Sequence, residues 1–254
     1  MTAPAISLAG SFALITGGAG GIGSAIARRL ARAGVTCALT YSRSREAAEQ
    51  LAQELPATGS ADHFAFCAPV EDSAAQVALA REVEERFGRL DLLVNNAGVS
   101  QAIPPEDLDS LTDDLIDRIF RVNVRGAIAS VRALRSLLAL SGDGLVVNIS
   151  SIAGRTAIGS NIAYCASKAA LDNLTMSLAR ALAPQIRVVS VSPGFVDGEY
   201  ARRMPELLKQ QGDLTPLGRV ATAEDVAEAV YVAAAQLRFT TGAILPVDGG
   251  RPLT

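Results

Sequence analysis

Apolar runs of strand length alternate with longer segments of helical period along almost the whole chain, and that alternation leaves very few folds open to it. The first run is Phe12-Ala-Leu-Ile-Thr16, and a helical pattern follows over residues 21–33. Further runs lie near 36–41, 63–68, 90–95, 145–150, 186–192 and 243–247, separated by helical patterns near 45–54, 73–87, 112–140, 163–183 and 223–236. Strand, helix, strand in repetition marks βαβ units, in which successive strands run parallel. Leu92-Leu-Val94 and Leu145-Val-Val-Asn-Ile149 are apolar on both faces, as a sheet covered by helices on either side requires. Asp72 and Thr222 stand where the third and last helices need caps. The expectation is an α/β fold, a doubly wound, parallel, seven-stranded sheet with helices on both faces.

With 49% apolar and only 19% charged residues, 254 residues suffice for one sizeable core, and neither a repeat nor a low-complexity linker divides them. A single domain over 1–254 is expected. The stretch 197–217, with Pro205, Gly212 and Pro216 around a short helical pattern, is the one long insertion and reads as a lid over a site. No apolar run approaches a bilayer span, and Met1-Thr-Ala-Pro4 has neither a basic start nor the apolar stretch of a signal peptide. A cytoplasmic location without membrane contact is therefore expected. A net charge of −3, no basic block and no tryptophan argue against a nucleic-acid surface. Cys37, Cys67 and Cys165 are odd in number and widely spaced, which argues against a disulfide framework or a zinc cluster. His63 is the only histidine, so chemistry built on several histidines is excluded.

Between the first strand and the first helix lies Thr16-Gly-Gly-Ala-Gly-Gly-Ile-Gly23. Glycines there let the backbone turn sharply and approach a diphosphate, whose charge is stabilised by amides at the helix N-terminus. Tyr164-Cys-Ala-Ser-Lys168 lies at the start of a helical pattern, and its spacing puts phenol and ammonium on one face. A phenol titrates near ~10 in water, but an adjacent cation favours the phenolate, so the pair suits acid–base work near neutrality. Lys168 stands out further because Lys209 is the only other lysine. Cys165 has no histidine near it in the motif and reads as a small buried helix residue rather than a nucleophile.

In the order and spacing of these motifs the sequence resembles the short-chain dehydrogenase/reductase family from Leu8 to Gly250, in the branch that includes carbonyl reductases like 3-oxoacyl-carrier-protein reductase. The resemblance implies a single-domain Rossmann fold in which Gly17, Gly21, Ile22 and Gly23 bind the dinucleotide. It implies that Asn95-Asn-Ala97-Gly98 ends the fourth strand beside the adenosine half, and that Pro193-Gly194, with Val196 following, forms the turn beside the nicotinamide. Asn123, in Arg-Val-Asn-Val, matches a residue that holds a proton-relay water, and Ser151, thirteen residues before Tyr164, one that hydrogen-bonds the substrate oxygen. Val247-Asp-Gly-Gly250 matches the family's usual C-terminal strand end. The implied chemistry moves a hydride between nicotinamide and a small-molecule carbonyl or secondary alcohol, with Tyr164 as acid or base and no metal. Lys168 then holds the ribose hydroxyls and lowers the Tyr164 pKa, Ser151 stabilises developing oxygen charge, and Asn123 orders water between Lys168 and solvent. A homotetramer is also implied, built from the long helices 112–140 and 163–183. The second helix supports it with Ala169, Leu171, Leu174, Met176 and Leu178 on more than one face.

Cofactor choice rests on the residues just after the second strand, where a carboxylate would repel a 2′-phosphate. The chain reads Tyr41-Ser42-Arg43-Ser44-Arg45, with no acid until Glu46. Arg43 and Ser42 suit the phosphate, so NADP(H) is expected to be preferred, with NAD(H) the weaker alternative. Three positions depart from the family pattern: Gly20 where NADP-dependent relatives often carry a cation, Pro69 in place of an adenine-contacting Asp, and Gly198 in place of a Thr. Two alternatives stand beside the carbonyl reductase, a 3-oxoacyl-[acyl-carrier-protein] reductase of fatty-acid or polyketide synthesis and a non-catalytic NADP-binding sensor. Leu140-Ser-Gly-Asp143 and Ala183-Pro-Gln185 lack the cations an acidic carrier protein would meet, although Arg132, Arg135 and Arg180 could serve. Asn123, Ser151, Tyr164 and Lys168 together favour an enzyme over a sensor. The substrate pocket is expected from Gln101, Ile152, Ile158 and the lid.

Overall fold

The computed structural model describes residues 7–59, 61–198 and 205–253. Its first half runs β1 (Phe12–Ile15), α1 (Gly21–Ala31), β2 (Thr36–Tyr41), α2 (Arg45–Glu54), β3 (Phe64–Cys67), α3 (Ser73–Phe87) and β4 (Leu92–Asn95). The second half continues with α4 (Asp113–Phe120), a π-helical segment (Arg121–Gly126), α5 (Ala127–Leu140), β5 (Gly144–Ile149), α6 (Ala153–Thr156) and α7 (Ile162–Leu182). Then come β6 (Ile186–Pro193), α8 (Pro205–Asp213), α9 (Ala223–Ala235) and β7 (Ile244–Val247). The strands form one seven-stranded sheet in the order β3-β2-β1-β4-β5-β6-β7, parallel throughout. The chain order reverses between β1 and β4, and such a switch point leaves a crevice beyond the carboxyl ends of the strands.

Alternate residues of each strand feed two separate cores, which is why the strands have no polar face. On one side Ile26 and Leu30 of α1, Leu51 of α2, and Val226 and Val230 of α9 pack over Ile15, Leu39, Val94, Val147 and Val189. On the other, Leu79 and Val83 of α3, Leu134 and Leu138 of α5, and Ala179 of α7 close over Leu14, Leu93, Val146 and Val188. Both expected caps are present. Asp72 accepts from the amides of Ala74 and Ala75, and Thr222 forms a reciprocal capping box with Asp225.

One element differs from its sequence expectation. Residues 112–140 do not form one uniform α-helix, because a π-helical segment separates α4 from α5. The periodicity on either side is helical, so a pattern search joins the two; the extra residue accommodated in between carries no compositional mark. Gly126 ends the segment against the loop after β3, where a Cβ would lie 2.6 Å from Cγ2 of Val70. In the long insertion, α8 and the following turn are described, and residues 199–204 of the expected lid lie outside the described residues. Among the described residues no helix is long and apolar enough to cross a membrane.

Candidate active site

A cleft of about 790 Å³ opens at the switch point. Gly17, Gly21, Ile22 and Gly23 line it from the loop after β1, Ser42 and Arg43 from the loop after β2, and Pro69 from the loop after β3. Ala97 and Gly98 contribute from the end of β4 and Val196 from the segment after β6. Gly17 has φ +62°, and a Cβ on Gly23 would lie 2.5 Å from the Gly17 carbonyl oxygen, so the turn into α1 closes only without side chains. Gly20 caps α1 with no side-chain hydrogen bond, and no acid stands in the first helical turn. The helix N-terminus thus faces the cleft with its amides free of any side-chain cap, which fits the diphosphate of a dinucleotide.

Two residues that the sequence reading placed in these motifs without a role of their own hold this loop in place. The Thr16 hydroxyl accepts from the amides of Asn96 and Ala97, both at 3.0 Å. Asn96 Nδ2 donates to the carbonyls of Thr16 at 2.9 Å and Gly17 at 3.1 Å. Asn95, expected beside the adenosine, points elsewhere. Its buried amide donates to Asn148 Oδ1 at 2.8 Å, and Asn148 in turn donates to Thr175 Oγ1 of α7 at 2.8 Å. The period of two explains the difference: Asn95 shares the face of Leu93, covered by helices, and Asn96 is the first residue free to reach the loop. Pro193 ends β6 and Gly194 follows it. Pro193 accepts from the Ile152 amide, and the Gly194 amide donates to the Val247 carbonyl.

The four expected catalytic residues converge beyond Gly98. A Cβ there would lie 3.4 Å from Asn123 Oδ1 and 3.8 Å from Lys168 Nζ. Asn161, another residue the sequence reading passed over, caps α7 by accepting from the Tyr164 amide at 2.7 Å and donates to the Gln101 carbonyl at 2.8 Å. Asn three positions before the tyrosine is the sequence signal that would have found it. The Tyr164 phenol lies beside the Ser151 hydroxyl, and Lys168 Nζ lies 5.6 Å from the centroid of its ring. Lys168 is buried and donates to the Ile149 carbonyl at 2.8 Å. Asn123 sits in the π-helical segment, where Oδ1 accepts from the Val99 amide at 2.8 Å. Its Nδ2 donates to the Val99 carbonyl at 3.0 Å and to Ser167 Oγ at 3.1 Å.

The electrostatics differ from the expectation in one respect. Burial pushes the Tyr164 phenol above its ordinary value, against the influence of the Ser151 hydroxyl, so the phenol is not drawn toward neutrality in the free protein. Lys168 is itself drawn down to about 8, chiefly by burial. The ammonium that would favour the phenolate donates to the Ile149 carbonyl and lies 5.6 Å from the centroid of the phenol ring.

A model of the enoyl-(acyl carrier protein) reductase family matches residues 17–251. A protein of Streptomyces violaceoruber named as ketoacyl reductase 2 of the granaticin polyketide synthase is 38% identical over 244 residues, which cover 95% of this chain and 96% of that protein. The 3-oxoacyl-[acyl-carrier-protein] reductase FabG of Staphylococcus aureus is 35% identical over 243 residues, covering 94% and 96%. A crystal structure assigned to a short-chain dehydrogenase/reductase of Burkholderia xenovorans superposes with a TM-score of 0.90 at 35% identity, covering 96% of this chain and 98% of that one. With the glycine loop, the seven-stranded order and these matches spanning nearly its whole length, the chain belongs to the short-chain dehydrogenase/reductase family, oxidoreductases that work with nicotinamide cofactors.

Proposed function

We propose that the protein is an NADP(H)-dependent oxidoreductase that interconverts a carbonyl and a secondary alcohol, with Tyr164 as the acid or base. The observation that carries this reading is the convergence of the Ser151 hydroxyl, the Tyr164 phenol and the Lys168 ammonium, which lies 5.6 Å from the centroid of that ring. The bound nicotinamide would supply or accept the hydride. Tyr164 Oη holds the proton that passes to the substrate oxygen, and its raised pKa in the free protein keeps it protonated, as reduction requires. Ser151 Oγ points a second hydroxyl at the same place and stabilises charge as it develops. Lys168 Nζ spends one donor on Ile149 and has others for ribose hydroxyls. The Asn123 side chain is engaged by Val99 and Ser167, so a water it orders would be held by its main chain.

NADP(H) is favoured over NAD(H) by the loop after β2. Arg43 is exposed, has no ion-pair partner among the described residues and lines the cleft with Ser42 and Ser44. Ser44 stands at the N-cap of α2 without using its hydroxyl as a cap. Pro69 removes a side-chain contact to adenine, leaving the backbone of that loop, which Gln76 Nε2 steadies through the carbonyls of Ala68 at 3.4 Å and Pro69 at 3.3 Å. The segment 197–217 would act as the lid, above a pocket formed with Gln101, Ile152 and Ile158.

A 3-oxoacyl thioester carried on a protein is the second substrate reading, favoured by the names of the two curated relatives and by Arg132, Arg135 and Arg180 on the surface. A homotetramer joined through α5 and α7 is supported by the exposed Ile128 and Met176 on those helices, and the cytoplasm remains the proposed location. The test is NADPH oxidation against ketones, quinones, sugars and 3-oxoacyl thioesters, repeated with Tyr164→Phe. The variant should bind NADPH as the native protein does and lose turnover by several orders of magnitude. Retained turnover would place the acid elsewhere.

A further inference from the structure

The mechanism above makes no use of a carboxylate buried directly behind it. Asp172 lies one helical turn beyond Lys168 on α7 and is 5% exposed. Its Oδ1 accepts from Ser190 Oγ of β6 at 3.1 Å, and the Ser150 hydroxyl at the end of β5, which donates to the Lys168 carbonyl at 3.3 Å, lies beside the carboxylate. Oδ2 has no hydrogen-bond partner among the described residues. A carboxylate out of water and half satisfied is costly unless a cation answers it nearby.

The charged groups that face Asp172 are few. Lys168 precedes it at the spacing that places two side chains on one face. α6 contributes Arg155, which is drawn toward Asp248 beyond β7 at 3.8 Å. α4 and the π-helical segment, both packed on α7, carry Asp113, Asp114, Asp117, Arg118, Arg121 and Arg125 at exposed positions. From β6, Arg187 donates to the Ala233 and Leu237 carbonyls around the end of α9, on the opposite side of the sheet. The remaining ionisable neighbours are on α7 itself, Tyr164 and Cys165 at its start.

We propose that Asp172 is a positioning residue for the reaction, the buried anion that keeps Lys168 an ammonium and seated at the end of β5. The inference rests on the role given to Lys168 above. Buried without an opposite charge, a lysine gives up its proton and with it the contact to ribose hydroxyls and the field on the phenol. Burial already draws Lys168 down to about 8, and Asp172 is the group that opposes the fall. Burial in turn raises the Asp172 carboxyl, with Ser150, Ser190 and Lys168 acting against it. Each member of the pair therefore holds the other in its charged form.

Because Lys168 and Lys209 are the only lysines, protein grown on lysine labelled with ¹³C at Cε gives two titrating resonances, which Lys209→Arg assigns. In Asp172→Asn the Lys168 midpoint should fall by about one unit while that of exposed Lys209 stays in place. Ser190→Ala should move it the same way by less, and carries the test if Asp172→Asn fails to fold. NADPH binding, followed by fluorescence from pH 7 to 10, should weaken about tenfold above both midpoints in Asp172→Asn and change little at pH 7. An unmoved Lys168 midpoint in folded variants overturns the proposal. A midpoint that moves while the pH dependence of NADPH binding and turnover does not would leave the coupling of the two charges standing and overturn the role given to Lys168.

Discussion

The backbone amide of Cys37 donates to Nδ1 of His63 at 2.9 Å, while Nε2 of the same ring lies 2.9 Å from the Pro56 carbonyl. Only the neutral tautomer with its proton on Nε2 satisfies both. The ring thus extends the β2–β3 ladder by one bond, just before the register begins at Ala38 and Phe64. His63→Ala should leave the Cys37 amide unpaired and lower stability by about 1–3 kcal/mol, with turnover of the folded protein unchanged. Urea unfolding beside an activity assay checks this, and an unchanged midpoint would mean that water takes over the bond.

Asp225 joins a helix cap to an ion pair. Its Oδ2 accepts from the Thr222 amide at 2.8 Å, and Arg219 donates to both oxygens at 2.6 and 2.9 Å. Arg219 above all, with Thr222, holds the carboxyl at about 2 against an ordinary 3.8. A folded-state pKa below the unfolded one gives stability that is full above about pH 4 and is lost as pH falls through about 2. Asp225→Asn should therefore cost about 1 kcal/mol at pH 7, the ordinary worth of a cap, and much less at pH 2. Thermal melts at the two pH values decide it; a gap independent of pH would trace to packing instead.

Arg43→Ala should weaken NADPH binding by roughly 1.5–3 kcal/mol, the range for a hydrogen bond to a charged group, and leave NADH binding nearly unchanged. The native preference should shrink as salt rises, since an exposed ion pair is screened and Gly20 supplies no second cation. Dissociation constants of both reduced cofactors at low and high salt measure this. Tighter binding of NADH by the native protein would reverse the assignment.

Met176→Arg should dissociate the proposed tetramer, because it places a charge on the 46% exposed apolar side chain of α7. Light scattering at micromolar concentration reports the outcome, and a native protein that is already monomeric would remove the interface.

The sheet was legible from the chain because its strands are apolar on both faces, and α3 and α9 because Asp72 and Thr222 announce them. Gly17, Ser42, Arg43 and Gly98 were found at the cleft for the same reason: each lies in a loop that the strand order carries to one edge. What the sequence hid depends on direction and depth. Asn95 and Asn96 are alike in composition, yet strand alternation sends one into the core and the other to the glycine loop. Asp172 reads as an ordinary polar helix residue until Ser190, distant in sequence, is seen to bond it. Spacing gives Lys168 and Tyr164 a shared face but not their depth, and it is burial that raises the Tyr164 phenol.

The π-helical segment makes chain length, beside the identities of Asn123 and Gly126, a property this stretch protects. Each residue advances an α-helix by about 100°, so removing any single residue from 121–126 would let 113–140 relax into a uniform coil of the ordinary pitch. Leu134 and Leu138, which close the core from α5, would keep their place relative to Ile119 of α4, since the wider coil turns about as far as an α-helical stretch one residue shorter, whereas Asn123 would lose its alignment with Val99 and Ser167. Substitutions at the exposed positions of the segment would pass almost silently, whereas a one-residue deletion would unseat the candidate site and leave the core in register.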